Sequence, residues 1–133
     1  MKATVLDSYA VISYLQKQPG YDQVAKVFDE CVTKDREAFL SIINWGEVIY
    51  QALRSGGEQK ARLAEDAMRA LPLQLVEANK ELTYQAAQLK ATNRMSYADC
   101  FAAGLAIRKK CELVTGDREF KQVEDKIKIR WVK

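Results

Sequence analysis

The chemistry this sequence offers rests on four acids. Asp7 closes the apolar run Ala3-Thr-Val-Leu, and Asp117 follows Leu113-Val-Thr-Gly116. Asp99 lies in Ser96-Tyr-Ala-Asp-Cys-Phe-Ala-Ala, and Glu47 in Ile42-Ile-Asn-Trp-Gly-Glu-Val-Ile-Tyr50. The 133 residues include no histidine, which removes Ser–His and Cys–His nucleophile pairs, histidine general bases and histidine-held zinc. Carboxylates that converge must be neutralised: two of them about 4 Å apart repel by roughly 4 kcal/mol at an effective dielectric of about 20. Such a cluster holds protons or binds a cation. Oxygen ligands without imidazole or thiolate select a hard ion, Mg²⁺ or Mn²⁺, and the chemistry such an ion supports with water is phosphodiester hydrolysis.

Each acid also has a plain structural explanation. Asp7, or Ser8 beside it, would cap a first helix. Ser96-x-x-Asp99 has the form of a capping box with Asp in place of Glu, and Asp117 fits an N-cap before Arg118-Glu119-Phe120. Glu47 would be an ordinary exposed helix residue. Two details ask for more. The segment around Asp99 (Ala98, Cys100, Phe101, Ala102, Ala103, Leu105, Ala106, Ile107) is apolar on nearly every side, which predicts a buried helix. A buried carboxylate is costly unless paired or bound to a cation, and Ala102 and Ala103, one turn on, leave space over this one. Glu47 points away from its helix's main apolar face (Ile42, Trp45, Val48, Ile49, Ala52, Leu53), yet Ile43 and Tyr50 flank it there. That second face is too apolar for plain solvent, so it lines a cleft or meets a partner.

The elements that must position these acids alternate. Ala3–Asp7 reads as a short buried strand, and residues 8–18 as a helix (Val11, Ile12, Leu15) stopped by Pro19-Gly20. Residues 21–33 repeat Val24, Val27, Phe28 and Cys31, a second helix. Residues 37–41 form a strand, 42–54 a helix closed by Gly56-Gly57, and 58–71 an amphipathic helix ended by Pro72. Residues 73–76 read as a strand, Asn79 as the cap of a helix to about Ala91, and 95–110 as the apolar helix. A strand at 112–115, a short helix from Asp117 to about Val123 and an alternating strand at 127–131 complete the chain. Strands separated by helices predict an α/β sandwich around a mostly parallel sheet, whose ligands bind beyond the carboxyl ends of the strands. Asp7 and Asp117 are placed for that.

Composition sets the remaining bounds. With 48% hydrophobic and 29% charged residues the chain is expected to fold, as one domain, and no run approaches the roughly 18 apolar residues of a membrane span. Met1-Lys2 and the broken apolar stretch after it do not read as a secretory signal. Cys31, Cys100 and Cys111 offer no close pair, so neither a disulfide framework nor a CxxC motif is expected, and the cytoplasm is the natural compartment. The net charge of +3 is uneven: residues 108–133 carry nine Lys or Arg against five Asp or Glu, compatible with a polyanionic partner or with a solvated face.

Four stretches, Val5-Leu-Asp7-Ser8, Ile43-Asn-Trp-Gly-Glu47-Val, Ser96-Tyr-Ala-Asp99-Cys-Phe-Ala-Ala and Leu113-Val-Thr-Gly-Asp117-Arg-Glu-Phe120, resemble the PIN-domain family in order and spacing, and in particular its VapC-type toxins of toxin–antitoxin pairs. The similarity runs the length of the chain. It implies one PIN-like domain over residues 1–133, a three-layer α/β sandwich with a five-stranded sheet, and a Mg²⁺-dependent endoribonuclease in which Mn²⁺ is an alternative ion. It maps the catalytic quartet onto Asp7, Glu47, Asp99 and Asp117, with Asp7, Asp99 and Asp117 as metal ligands and Glu47 orienting or deprotonating the attacking water. Thr115 takes the place of a supporting polar residue, and Ser8 is expected to orient Asp7. The resemblance further implies an RNA substrate such as a transfer or ribosomal RNA loop, products with 5′-phosphate and 3′-hydroxyl ends, a homodimer, and a cognate antitoxin covering the cleft. Arg94, Arg118 and Lys121 are candidates to hold the RNA backbone, and Tyr50 and Tyr97 to stack on an unpaired base.

Two other readings compete. A receiver-like signalling domain needs adjacent acids after the first strand and a Lys before a late Pro, whereas Asp7 has no acidic neighbour and the only prolines are Pro19 and Pro72. A catalytically inert PIN-like binding module keeps the fold without the chemistry; a metal-dependent gain in thermal stability, lost in Asp99→Asn, separates it from the nuclease.

Overall fold

The computed structural model describes residues 3–133; Met1-Lys2, where the absence of a secretory signal was read, lie outside the described residues. The chain runs β1 (Ala3–Leu6), α1 (Ser8–Leu15), α2 (Tyr21–Thr33), β2 (Glu37–Ser41), α3 (Ile42–Arg69), β3 (Gln74–Val76), α4 (Lys80–Thr92), α5 (Tyr97–Lys109), β4 (Glu112–Thr115), a 3₁₀ helix (Arg118–Val123) and β5 (Ile129–Trp131). The strands form one sheet in the order β3-β2-β1-β4-β5, and all four pairings are parallel, where the sequence predicts a mostly parallel sheet.

Successive strand residues point to opposite faces, so each strand feeds two cores. Val5, Phe39 and Leu113 pack with α4, α5 and the 3₁₀ helix; Leu6, Leu40 and Val114 pack with α1, α2 and α3. This is the expected three-layer sandwich. From β1 the chain moves outward to β2 and β3, then returns to the other side of β1 for β4 and β5. The reversal opens a crevice beyond the carboxyl ends of β1 and β4. At the far edge, Arg130 of β5 donates to both carboxylate oxygens of Glu30 on α2, at 2.8 and 3.1 Å, which holds the Glu30 carboxyl below its ordinary range.

Several boundaries differ from the sequence reading. The first helix ends at Leu15 rather than Gln18, because Lys17 turns into the left-handed region (φ 51°) before Pro19. The two helices expected at 42–54 and 58–71 are present as the two helical segments of α3, which meet at a kink at Gly57 (φ 70°, ψ −163°), while Gly56 stays helical. The final strand starts at Ile129 rather than Ile127, and the short helix after Asp117 is of the tighter 3₁₀ kind.

Candidate active site

Local capping chemistry builds the site. Asp7 accepts from the Ala10 amide (2.9 Å) at the start of α1, Ser96 from the Asp99 amide (3.1 Å) at the start of α5, and Asp117 from the Glu119 amide (3.0 Å) at the 3₁₀ helix. The capping explanations for Asp7, Ser96-x-x-Asp99 and Asp117 are therefore correct, and they do not compete with convergence. Helices following the strands of a parallel sheet all present their amino ends at the same edge, where their dipoles favour negative charge. There Asp7, Ser8, Glu47, Ser96, Asp99, Asp117 and Glu119, with Tyr9 and Ile12, line one cleft of about 440 Å³. All four acids of the predicted quartet are among them.

Asp7 forms the floor. It is 1% exposed, and its second oxygen accepts from Thr115 Oγ1 at 2.5 Å. Thr115 in turn accepts from the Asp117 amide at 3.0 Å, so one buried hydroxyl joins the ends of β1 and β4 to the third acid. Burial pushes the Asp7 carboxyl up to about 7; the Thr115 and Ala10 hydrogen bonds oppose this, and the charges of Asp99 and Asp117 add to it. Asp99, 8% exposed, is likewise raised to about 7, first by burial and then by the neighbouring charges of Asp117 and Glu47.

Glu47 is half-buried, not exposed, because two donors hold the same oxygen, Oε1: Ser8 Oγ at 2.8 Å and Asn44 Nδ2 at 3.0 Å. Asn44 Nδ2 also reaches the Ala98 carbonyl at 3.2 Å, tying α3 to α5 beside Asp99. Ser8 therefore orients Glu47, not Asp7 as expected: α1 turns the residue after Asp7 toward α3, and Asp7 is already served by Thr115.

Three residues in or behind the cleft escaped the sequence reading. Asn44 stands one turn before Glu47 on the same helix face, a spacing that points to it. Glu119 follows Asp117 by two residues; with Asp99 and Asp117 it brings carboxylate oxygens within 4.8 Å of one another. Tyr9 carries no signal in the sequence and is placed by packing alone. The proposed RNA contacts fare differently. Arg94, Arg118 and Lys121 are exposed, and none lines the cleft. Arg118 lies over the Trp131 ring (4.6 Å), and the Arg94 backbone is clamped to Gln122 by two hydrogen bonds of 2.8 and 3.1 Å. Tyr50 accepts from Arg54 and Tyr97 tilts against Phe101, both outside the cleft.

The donor set fits a hard divalent cation. It consists of carboxylate and hydroxyl oxygens, and all three cysteines are buried outside the cleft. Asp99, Asp117 and Glu119 are spaced to hold such an ion, above the floor formed by Asp7. An apolar groove of about 300 Å³, lined by Ile12, Leu15, Val48, Ala52, Leu63 and Ala67 among others, meets the cleft at Ile12.

An α/β domain with an acidic cleft at the reversal of a parallel sheet is the class the geometry defines. The PIN-domain family model matches residues 4–126, and the chain belongs to the PIN-domain family. A search of the curated proteins finds no match. Among solved structures, VapBC2 from Rickettsia felis bound to a DNA fragment from its promoter is similar at TM-score 0.80 and 18% identity, over 98% of this chain and 99% of that one. DNA-bound VapBC from Salmonella typhimurium is similar at 0.77 and 23%, over 98% of each chain. VapC20 from Mycobacterium tuberculosis, a sarcin–ricin loop cleaving toxin, is similar at 0.71 and 14%, over 90% of this chain and 94% of that one. At these identities the likeness is one of fold.

Proposed function

We propose that this protein is a Mg²⁺- or Mn²⁺-dependent endoribonuclease of the VapC type, the toxin of a toxin–antitoxin pair, acting in the cytoplasm as a homodimer. The observation that carries the reading is the convergence of Asp7, Glu47, Asp99 and Asp117 in one cleft whose only other charged side chain, among the described residues, is also an acid, Glu119. The family membership and the VapBC neighbours support it.

In this reading Asp7, Asp99 and Asp117 would hold the cation, and Glu119, whose carboxylate lies with those of Asp99 and Asp117, would complete the set. The bound ion supplies charge neutralisation and a Lewis acid for phosphodiester hydrolysis. Thr115 keeps the Asp7 carboxylate in place and sets the backbone of Asp117. Ser8 and Asn44 fix one oxygen of Glu47, leaving its other oxygen to orient the attacking water and accept its proton. The water attacks the phosphorus in line and the 3′-oxygen leaves, giving 5′-phosphate and 3′-hydroxyl ends. This chemistry does not use the ribose 2′-hydroxyl, so RNA preference comes from shape and contacts outside the acids. A cognate antitoxin covers the cleft, and the apolar groove that shares Ile12 with it offers the adjoining surface.

The test is a transcriptome-wide map of new 5′ ends after a brief pulse of expression, with Asp99→Asn as control. Sharp ends at one or a few RNA sites in the wild type alone are the expected result. Identical maps from two folded, soluble proteins, in the native host, would overturn the reading.

A further inference from the structure

We propose that Tyr9 is the substrate-positioning residue of this cleft, a platform on which an unpaired nucleobase next to the scissile phosphate stacks. The inference rests on the nuclease reading above and names the part of the substrate that the acids do not hold.

Two observations carry it. Tyr9 and Ile12 are the apolar members of the cleft lining; the remaining lining residues are acids and serines. A phosphate drawn to the acids by a cation therefore has one wall on which a neutral, flat base gains contact without stripping water from a carboxylate. The ring is also seated. A Cβ on Gly116 would lie 2.3 Å from Tyr9 Cε1 and 2.8 Å from Cζ, so Gly116 provides the space across which the ring lies. With one side against Gly116 and 40% of the residue exposed, the platform is ordered before substrate arrives, which lowers the entropic cost of stacking. The other aromatics do not serve: Tyr50 and Tyr97 lie outside the cleft, and Trp131 is covered by Arg118. Stacking requires a base splayed out of its helix, so the class of substrate is a single-stranded loop or bulge.

The probe is a single-stranded RNA hexamer carrying 2-aminopurine, with Ca²⁺ as the cation, followed by fluorescence and anisotropy. Wild type and Tyr9→Phe are expected to bind equally and quench the probe; Tyr9→Leu, folded by thermal melt, is expected to bind about 10-fold more weakly with the quench lost. A second measurement needs no variant: photocrosslinking of wild type to a 5-iodouracil hexamer, mapped by mass spectrometry, is expected to label the Tyr9 peptide. Binding and quench unchanged in Tyr9→Leu, or crosslinks confined to peptides without Tyr9, would overturn the stacking role and leave the nuclease reading standing. No binding of either hexamer by the wild type would overturn the nuclease reading, and this inference with it.

Discussion

Burial raises the Asp7 and Asp99 carboxyls well above the ordinary carboxylate range, which gives the fold a distinctive pH dependence. Both carboxyls are raised in the folded chain to about 7, from 3.8 for an ordinary aspartate. Below the ordinary value folded and unfolded chains are both protonated, and the stabilisation is fully present. Between about 4 and 7 the folded chain keeps protons that the unfolded chain has released, so stability falls as pH rises, by at most about 1.4 kcal/mol per pH unit for each carboxyl. Melting in EDTA should thus show Tm declining from pH 5 to 7.5, with a shallower decline in Asp99→Asn; a Tm that climbs over this range contradicts the arrangement. Thr115→Val should cost about 1–3 kcal/mol in denaturant titrations by leaving a buried Asp7 oxygen without its donor. Thr115→Ser should recover most of that loss. Asp7, Asp99 and Asp117 were legible because each sits at the end of a strand or start of a helix, where chain pattern alone fixes direction; Thr115 was reached only through the family resemblance. The partner of Ser8 was not, because the Ser8–Glu47 bond crosses 39 residues and depends on how α1 and α3 pack.

At the scale of elements, α3 shows what a local pattern reveals. A Gly-Gly pair is a strong stop signal, and the sequence reads two helices there. In the structure Gly57 leaves the helical region, into a conformation that is essentially reserved for glycine, and a second helical segment begins on the far side of that kink. The surroundings of Gly57 are open, so Gly57→Ala tests backbone strain alone and should destabilise by about 1–3 kcal/mol. Gly46, helical with equally open space, should behave oppositely: Gly46→Ala removes a flexible helix residue and should stabilise by about 0.5–1 kcal/mol. Chemical denaturation of the two variants side by side reads the difference. The strands and the helices at 21–33 and 97–109 were readable from apolar spacing, whereas the ends at Leu15 and Ile129 depend on a turn at Lys17 and on pairing with β4.

At the scale of the whole molecule, the cleft concentrates negative charge at one edge of the sheet while the chain as a whole carries +3. Folding leaves that charge uncompensated, so a cation that binds only the folded state must stabilise it. Mn²⁺ at about 100 times its dissociation constant should add about 2.7 kcal/mol, measured as a rise in Tm at pH 7.5, and Asp99→Asn should show little or none of it. Among the described residues no helix is long and apolar enough to cross a membrane. A five-stranded sheet was expected from the resemblance. Which side chains meet across it was not, since Thr115 and Asp7 touch over a separation of 108 residues.

That separation has a consequence during synthesis. A ribosome adds about 5–20 residues per second, so roughly 5–20 s pass between incorporation of Asp7 and of Asp117. Through that interval the nascent chain lacks β4, Thr115 and the acids that follow, and it has no complete cleft. Under the proposed nuclease function, the chain cannot act on the machinery that is still making it, and a neutralising partner has those seconds to be at hand.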